Sequence, residues 1–246
     1  MVLKDEINEE LAAQLDHETK NWSVIDTLKY LAERFEGTTT FSTSFGQEDQ
    51  VITDMIFTAR IPVLVFTLDT GRHFEETYKV MSQTLARYEK KIKVLFPDQQ
   101  KVEQLLTNKG PFSFYESIEN RKECCYIRKV EPLERMLKET ACWITGLRAA
   151  QSNSRQTIRR ISFDPTYQVI KVNPLYNWSL EEVVTHLHDN HVPYNILHDK
   201  GYPSIGCAPC TRAVQPGEDI RAGRWWWENN SSKECGLHDN QENKQL

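Results

Sequence analysis

The sequence predicts an α/β fold built on a mostly parallel sheet with helices on both faces. Short segments rich in β-branched and aromatic residues alternate with longer segments in which apolar residues recur every three or four positions. Helices placed between strands in this way require right-handed crossover connections, and they favour parallel pairing within a buried sheet. No internal repeat interrupts the alternation.

The predicted elements follow in order along the chain. Two amphipathic helices are predicted over residues 1–20 and 21–37. Five segments carry the β-branched and aromatic residues typical of strands: 38–44, 62–68, 92–96, 142–147 and 168–172. Apolar periodicity predicts further helices around 51–56 and over 74–89.

The chain divides into three predicted regions. Residues 1–37 form an N-terminal helical segment, and residues 38–203 form the α/β domain. After about Pro203 glycine and proline become more frequent and the strand pattern stops. Residues 204–246 therefore form a separate segment that ends in a polar tail, which we expect to be mobile.

Composition limits the classes of function. The 246-residue chain is 39% hydrophobic, so it has enough apolar residues for one large core. Its net charge of -5 argues against binding to nucleic acid or to an anionic membrane. Neither a signal peptide nor a membrane-spanning apolar run is evident, and we expect a cytoplasmic protein. In a reducing cytosol, the six cysteines are expected to be metal ligands or redox nucleophiles.

Three predicted strands end in segments suited to ligand binding. Ligands of open parallel sheets bind at the carboxyl ends of the strands, where hydroxyl groups, glycine and arginine can hold a phosphate, a sulfate or a ribose. The candidate substrate-binding residues are Ser42, Ser44, Phe45, Gly46, Asp49, Leu68, Asp69, Thr70, Gly71, Arg72, Gly146 and Arg148. Three more arginines follow the third segment: Arg155, Arg159 and Arg160. Ordinary helix capping and solvated surface loops are the alternatives for these segments.

The cysteine spacing is the most specific metal signal. Cys124 and Cys125 are adjacent, and Cys207 and Cys210 form a Cys-x-x-Cys pair. Four thiolates in two pairs can bind zinc or an iron–sulfur cluster, and a redox Cys-x-x-Cys is a third alternative. Adjacent side chains diverge, which suits the separated corners of a cluster better than one ion. Cys142 lies in an apolar strand and is expected to be buried packing.

A cysteine near the carboxyl terminus is the candidate nucleophile. Cys235 follows the basic and aromatic run Arg221–Trp227, and Lys233 and His238 flank it closely. Positive neighbours lower the pKa of a thiol and increase its thiolate fraction. A thiol on a mobile tail can visit two places, whereas the alternative is a spare thiol in a frayed terminus.

Several segments together resemble one enzyme family. They are Ser42–Asp49, Leu68–Arg72, Cys124–Lys129, Ile144–Arg148, Cys207–Cys210 and Lys233–His238. From about Thr38 to His238, the chain resembles the assimilatory sulfonucleotide reductases, and specifically their iron–sulfur branch, the adenylyl-sulfate (APS) reductases. The resemblance implies a Rossmann-like, adenine nucleotide alpha hydrolase-like sheet, with residues 38–203 as a nucleotide-binding domain. The arginine-rich segment after Arg148 is spaced differently from the family's pattern.

The resemblance implies thioredoxin-dependent reduction of adenosine 5'-phosphosulfate to sulfite and AMP, in sulfate assimilation and cysteine biosynthesis. Cys235 would attack the sulfur and carry an S-sulfocysteine intermediate, which thioredoxin or glutaredoxin would then reduce. The other residues with an implied catalytic role are cationic: Lys129, Arg221, Arg224 and His238. The implied cofactor is a [4Fe-4S] cluster held by four thiolates: Cys124, Cys125, Cys207 and Cys210. We also expect a homo-oligomer.

Other functions remain open at this stage. The same chemistry on the 3'-phosphorylated substrate, PAPS, needs only one more basic contact. A tRNA-thiolating enzyme of the ATP-pyrophosphatase type would need a Ser-Gly-Gly-x-Asp-Ser loop and a basic surface, and the sequence has neither. A zinc-stabilised binding module without enzymatic activity would contain zinc and no iron.

Overall fold

The computed structural model describes residues 6–151 and 157–228. Eight α-helices in these ranges are Glu9–Glu18 (α1), Val24–Arg34 (α2), Gln47–Thr58 (α3), Glu75–Tyr88 (α4), Gln99–Lys109 (α5), Ile118–Cys125 (α6), Glu131–Leu137 (α7) and Leu180–Asp189 (α8). The strands of the described residues are Thr39–Ser42 (β1), Leu64–Leu68 (β2), Lys93–Leu95 (β3), Cys142–Ile144 (β4), Ile161–Asp164 (β5) and Val169–Val172 (β6). Within the same ranges, no helix has both the length and the apolar character needed to cross a membrane.

The six strands form one sheet in the order β3-β2-β1-β4-β6-β5. Every neighbouring pair is parallel except the edge pair of β5 and β6, which is antiparallel. The predicted mostly parallel α/β fold is therefore confirmed. Strand β5 was not predicted, because only Ile161 of its four residues is fully buried and the period-two pattern is weak.

Helices cover both faces of the sheet. Alternate residues of a strand point to opposite faces, so Ile144 and its neighbour Trp143 belong to different apolar clusters. The larger cluster packs β1, β4 and β6 against α1, α2, α3 and α8. On the opposite face, Phe66 and Trp143 pack against Leu133 and Leu137 of α7.

Local capping explains where several helices begin. The Ser23 side chain accepts a hydrogen bond from the backbone N–H of Asp26 at the start of α2. At the start of α8, Ser179 and Glu182 form a reciprocal capping box. These polar contacts satisfy backbone donors that the first helical turn leaves without partners.

The strand order determines where the loops that follow the strands meet. From β1 the chain runs to β2 on one side, whereas β4 joins β1 on the other side. Such a reversal opens a crevice at the carboxyl ends of the two central strands. The loops that follow Ser42 and Ile144 therefore lie side by side, and the loop that follows Leu68 is next to them.

Candidate active site

The loop after β1 is organised by the Asp49 carboxylate. The backbone N–H and the hydroxyl of Ser44 both donate to Oδ2 of Asp49, at 2.6 and 2.7 Å. Phe45 between them has a positive φ of 60° and a buried side chain, so the chain turns sharply before α3. Ser42 accepts a hydrogen bond from Trp143 Nε1 at 2.9 Å, which ties the start of this loop to β4.

The loop after β4 packs directly against the same carboxylate. A methyl group at Gly146 would overlap Oδ1 of Asp49, so only glycine allows this approach. Arg148 is buried, and its guanidinium donates to Glu48 Oε1 at 2.8 Å and to the Trp178 carbonyl at 3.1 Å. The predicted residues of the first and third segments therefore do come together, with Arg148 paired inside the protein.

The turn after β2 connects the sheet to the cysteines. Asp69 Oδ1 accepts hydrogen bonds from the Gly71 N–H at 2.8 Å and from the Tyr78 hydroxyl at 2.9 Å. Burial and the hydrogen bond to this carboxylate raise the pKa of Tyr78 to about 12. The Thr70 hydroxyl lies 3.3 Å from the Cys207 sulfur. The second predicted segment thus touches the Cys-x-x-Cys pair.

The adjacent cysteines lie where an α-helix changes to a π-helix. Helix α6 ends at Cys125 and continues as a π-helix over Tyr126–Val130 before α7 begins. A π-turn has a wider hydrogen-bond spacing than an α-turn, and it occurs frequently at functional sites. It places Cys124, Cys125 and Lys129 around one cavity.

The Cys-x-x-Cys pair is held by contacts with two other segments. Its 3₁₀ turn, Ala208–Cys210, follows Cys207. The Ala208 N–H donates to the Arg72 carbonyl at 2.8 Å, and the Tyr115 hydroxyl donates to the Pro209 carbonyl at 2.6 Å. The loop therefore closes onto the turn after β2 and the short helical turn around Tyr115.

Four thiols and four cationic side chains line the same cavity. The thiols belong to Cys124, Cys125, Cys207 and Cys210. The cations are Arg72, Arg121, Arg128 and Lys129. Burial raises the pKa of Cys210 to about 12, and the neighbouring Cys207 adds to this, whereas the Lys129 and Arg224 charges oppose it. The cavity is thus buried and lined by positive charge, and burial outweighs that charge at the Cys210 thiol.

The described residues contain no site for a single metal ion. Among the described residues, no three His, Cys, Asp or Glu side chains are grouped closely enough to hold one metal ion. A tetrahedral zinc ion requires four such ligands around one centre. A cluster has separate metal corners, so its thiolates are spread apart.

Buried N–H groups at this site lack hydrogen-bond acceptors. The Nε atoms of Arg128 and Arg224 and the Nε1 atom of Trp225 are buried without a hydrogen-bond partner. Buried donors are costly when they are left unpaired, so a bound acceptor is expected beside them. Thiolates and the sulfides of a cluster are acceptors of this kind, and the four-cysteine donor set therefore fits a cluster.

The last described segment packs over the cysteines. Trp225 is fully buried, with the guanidinium groups of Arg121 and Arg224 each 4.7 Å from its ring. The Arg224 guanidinium lies against Gly206, where a methyl group would overlap it. Arg221 does not line the cysteine cavity, although its carbonyl accepts from the Arg224 N–H at 2.9 Å. Two predicted catalytic residues, Cys235 and His238, lie outside the described residues.

Comparisons with known proteins identify the family. The family model described as the phosphoadenosine phosphosulfate reductase domain matches residues 38–213. An Agrobacterium fabrum relative named adenosine 5'-phosphosulfate reductase is 46% identical over 202 residues, which covers 82% of this chain and 78% of the relative. This chain belongs to the sulfonucleotide reductase family. An Allochromatium vinosum member with the same name is 43% identical over 220 residues, covering 89% of this chain and 86% of the relative.

Solved structures agree with this assignment to the sulfonucleotide reductases. A phosphate complex of the phosphoadenylyl-sulfate (PAPS) reductase from Candida auris superimposes with a TM-score of 0.71 at 29% identity. The match covers 87% of this chain and 99% of that one. FMN adenylyltransferase from Candida glabrata shares only the fold, with a TM-score of 0.51 at 16% identity, over 95% of this chain and 83% of that one.

Two arginines suggested by the sequence lie away from the site of this reductase. Arg159 contacts Glu9 at 2.6 Å, and Arg160 contacts Asp16 and Thr19. Both therefore attach α1 to the start of β5. Arg155 lies outside the described residues.

Sequence reasoning missed several residues at the site of this sulfonucleotide reductase. Arg128 donates to the Thr70 carbonyl at 2.7 Å, which joins the π-helix to the turn after β2. Arg121 pairs with Glu228 in the interior. The sequence offered two signals for this ion pair: a charged residue three positions before the cysteine pair and another directly after three tryptophans.

Proposed function

We propose that this protein reduces adenosine 5'-phosphosulfate to sulfite and AMP in assimilatory sulfate reduction. The observation that carries the proposal is the match of 43–47% identity to relatives named adenosine 5'-phosphosulfate reductase over most of the chain. The electropositive cysteine cavity beside the nucleotide crevice supports the same conclusion. Apart from Arg72, its lining comes from four stretches that a nucleotide-binding sheet alone does not require: Phe114, residues 121–129, residues 207–210 and Trp225.

The nucleotide binds at the carboxyl ends of β1, β2 and β4. The Ser44–Gly46 loop precedes the N-terminus of α3, which attracts negative charge. Asp49 and Gly146 hold this loop in place, and the turn from Asp69 to Arg72 borders it on the other side. These contacts support the assignment of the predicted residues to substrate binding.

Sulfur transfer begins at the Cys235 thiolate. It attacks the substrate's sulfur, a new sulfur–sulfur bond forms, and the sulfur–oxygen bond to AMP breaks with the bridging oxygen leaving on AMP. The leaving phosphate gains negative charge, so nearby cations stabilise the transition state. Lys129 and Arg224 supply this charge at the cavity. Arg221 and His238 are the further cations that we assign to the same role.

A dithiol protein completes the reaction. Thioredoxin or glutaredoxin attacks the Cys235 sulfur, sulfite leaves with the bonding electron pair, and a mixed disulfide forms. The second thiol of the donor then displaces Cys235 as a thiolate. Sulfur in the substrate gains two electrons, and the donor is oxidised to a disulfide, so atoms and electrons balance.

Cys124, Cys125, Cys207 and Cys210 would hold a [4Fe-4S] cluster. When bound, the cluster supplies local electrostatic tuning of the substrate site and does not transfer electrons to the substrate. The position of the four thiols around one cavity and the unpaired donors of Arg128, Arg224 and Trp225 support this assignment. A single zinc ion is the alternative, and iron and acid-labile sulfide analysis distinguishes the two.

Trapping the intermediate tests the proposed function. The anaerobically purified protein is mixed with adenosine 5'-phosphosulfate without reductant, digested and analysed by mass spectrometry. We expect the peptide that contains Cys235 to gain the mass of one SO₃, and thioredoxin to remove it. Cys235→Ser should lose both the adduct and sulfite formation, whereas Cys142→Ser should keep both. Normal sulfite production by Cys235→Ser would refute the mechanism.

PAPS is the second candidate substrate. The matching family model and the Candida auris structure are both described by their action on PAPS, whereas the relatives at 43–47% identity carry the name of the APS enzyme. We expect kcat/KM to be higher with adenosine 5'-phosphosulfate. The opposite ranking of the two nucleotides would move the assignment to PAPS reduction.

A further inference from the structure

A buried ion pair joins the last described residue to the cysteine-bearing helix. Arg121 Nε and Nη2 donate to the two carboxylate oxygens of Glu228, at 2.8 and 3.0 Å. Only 5% and 3% of the two side chains are exposed. Arg121 belongs to α6, three positions before Cys124, whereas Glu228 is more than a hundred residues further along the chain.

The same arginine also fixes the preceding tryptophan. The Arg121 guanidinium lies over the Trp225 ring, 4.7 Å from its centroid. The Arg224 guanidinium lies at the same distance from that ring. The Glu228 backbone N–H donates to the Trp225 carbonyl at 2.9 Å, which closes a tight turn. Side-chain and backbone contacts therefore fix both the position and the backbone direction of the chain between Trp225 and Glu228.

A buried ion pair by itself contributes little to the free energy of folding. The free energy needed to remove two charges from water cancels much of the free energy gained from their attraction. Apolar residues of similar size often stabilise the fold equally well. A two-point arginine–carboxylate contact does, however, define geometry closely. The pair is thus better suited to fixing a position than to strengthening the core.

That position is the start of the segment that carries the proposed nucleophile. Cys235 is seven residues after Glu228. Seven residues extend by at most about 25 Å, so the location of Glu228 limits where the thiol can act. Holding two reactants close together raises their effective concentration and accelerates the reaction between them.

We propose that Arg121 and Glu228 are positioning residues whose buried pair fixes the chain at Glu228, seven residues before Cys235. The pair thereby keeps the Cys235 thiol within reach of the substrate's sulfur. This inference rests on the proposed function, in which Cys235 attacks the bound nucleotide. Neither Arg121 nor Glu228 is required to touch the substrate.

The test compares transfer inside the protein with reaction toward an external reagent. Glu228→Gln keeps the shape of the side chain and removes its charge. In a single turnover with saturating adenosine 5'-phosphosulfate and no reductant, we expect SO₃ transfer to Cys235 to slow about tenfold or more. The rate of alkylation of Cys235 by iodoacetamide should stay within about twofold of wild type, because that reaction needs no positioning.

A second variant and a matched control complete the experiment. Arg121→Lys keeps the charge but loses the two-point contact, and we expect a smaller decrease in transfer rate. Glu218→Gln removes a carboxylate that also makes two contacts with an arginine, Arg212, on the surface of the same segment. This control should transfer SO₃ at the wild-type rate. Iron content and AMP affinity are measured for every variant.

The outcomes separate this inference from the proposed function. If wild-type protein gains no SO₃ on Cys235, the proposed function fails. If wild type reacts and Glu228→Gln reacts equally fast, only the positioning role is wrong. A decrease in transfer that is matched by lost iron or lost AMP affinity would show a general structural role and would also overturn the inference.

Discussion

Gly146 packs against the Asp49 carboxylate so closely that no side chain fits between the loops after β1 and β4. Asp49 uses its other carboxylate oxygen to accept two hydrogen bonds from Ser44. The glycine therefore supports the geometry of a loop that is distant in sequence. This contact explains why a glycine and an acidic residue are both needed at the centre of the crevice.

Gly146→Ala should damage the nucleotide crevice. The added methyl group must displace Asp49, which costs about 1–3 kcal/mol of folding free energy and breaks the Ser44 hydrogen bonds. We expect AMP affinity, measured by isothermal titration calorimetry, to fall about tenfold or more. Gly46→Ala is the control for folding free energy, because its methyl group would lie at an ordinary 3.4 Å from Ser44 Oγ. Equal AMP affinity in Gly146→Ala and wild type would contradict this account of the loop.

Cys210→Ser should lose the proposed cluster, whereas Cys142→Ser should retain it. Cys210 lines the shared cavity, but Cys142 is fully buried in β4. Burial raises the pKa of Cys142 to about 12, so it stays a neutral thiol. Iron, acid-labile sulfide and the visible absorption spectrum are measured after anaerobic purification. Wild-type iron content in Cys210→Ser would remove this residue from the ligand set.

Asp54 should make stability depend on acidic pH. It accepts hydrogen bonds from Tyr88 at 2.7 Å and from His186 at 2.9 Å, joining α3 to α4 and α8. Burial raises the pKa of Asp54, but these hydrogen bonds outweigh burial and leave the pKa below its usual value. The stabilisation is thus complete above about pH 4, the usual unfolded-state value, and is lost as pH falls towards the lower folded-state value.

Urea unfolding of Asp54→Asn tests this dependence. At pH 7 we expect a loss of about 1–3 kcal/mol, because the buried partners lose a charged acceptor. The difference from wild type should shrink as the pH is lowered below about 4. Asp199→Asn is the matched control, since Asp199 accepts from Tyr194 at an exposed site and should change stability by less than about 0.5 kcal/mol. A pH-independent difference for Asp54→Asn would refute the assignment.

The fold was predictable where the residue pattern was strong. Strand β4 is fully buried and β1 and β2 are mostly buried, and their β-branched, aromatic and aliphatic residues mark strands in the sequence. Strand β5 is a short edge strand with a single fully buried residue, and such a strand leaves little pattern. Its pairing with β6 and its contact with α1 depend on residues far away in sequence.

The residue types of the candidate site were predictable, but many of their contacts were not. The two cysteine pairs were evident from spacing, and the structure places them around one cavity. Arg148 was expected to face a ligand, whereas its guanidinium is paired with Glu48. The π-helix after Cys125 has no residue signature, because it reflects a change in backbone hydrogen bonding.

The sequence alone determines local structure in this chain, because strands, helix caps and metal-binding cysteines require short, regular patterns of neighbouring residues. Those patterns were sufficient for the parallel sheet, the glycine-containing loops at strand ends and the two thiol pairs. Folding decided which distant groups became neighbours: Asp49 with Gly146, Thr70 with Cys207, and Arg121 with Glu228. The reason is that packing joins residues by burial and charge across the molecule, and the spacing of residues along a chain does not record those distances.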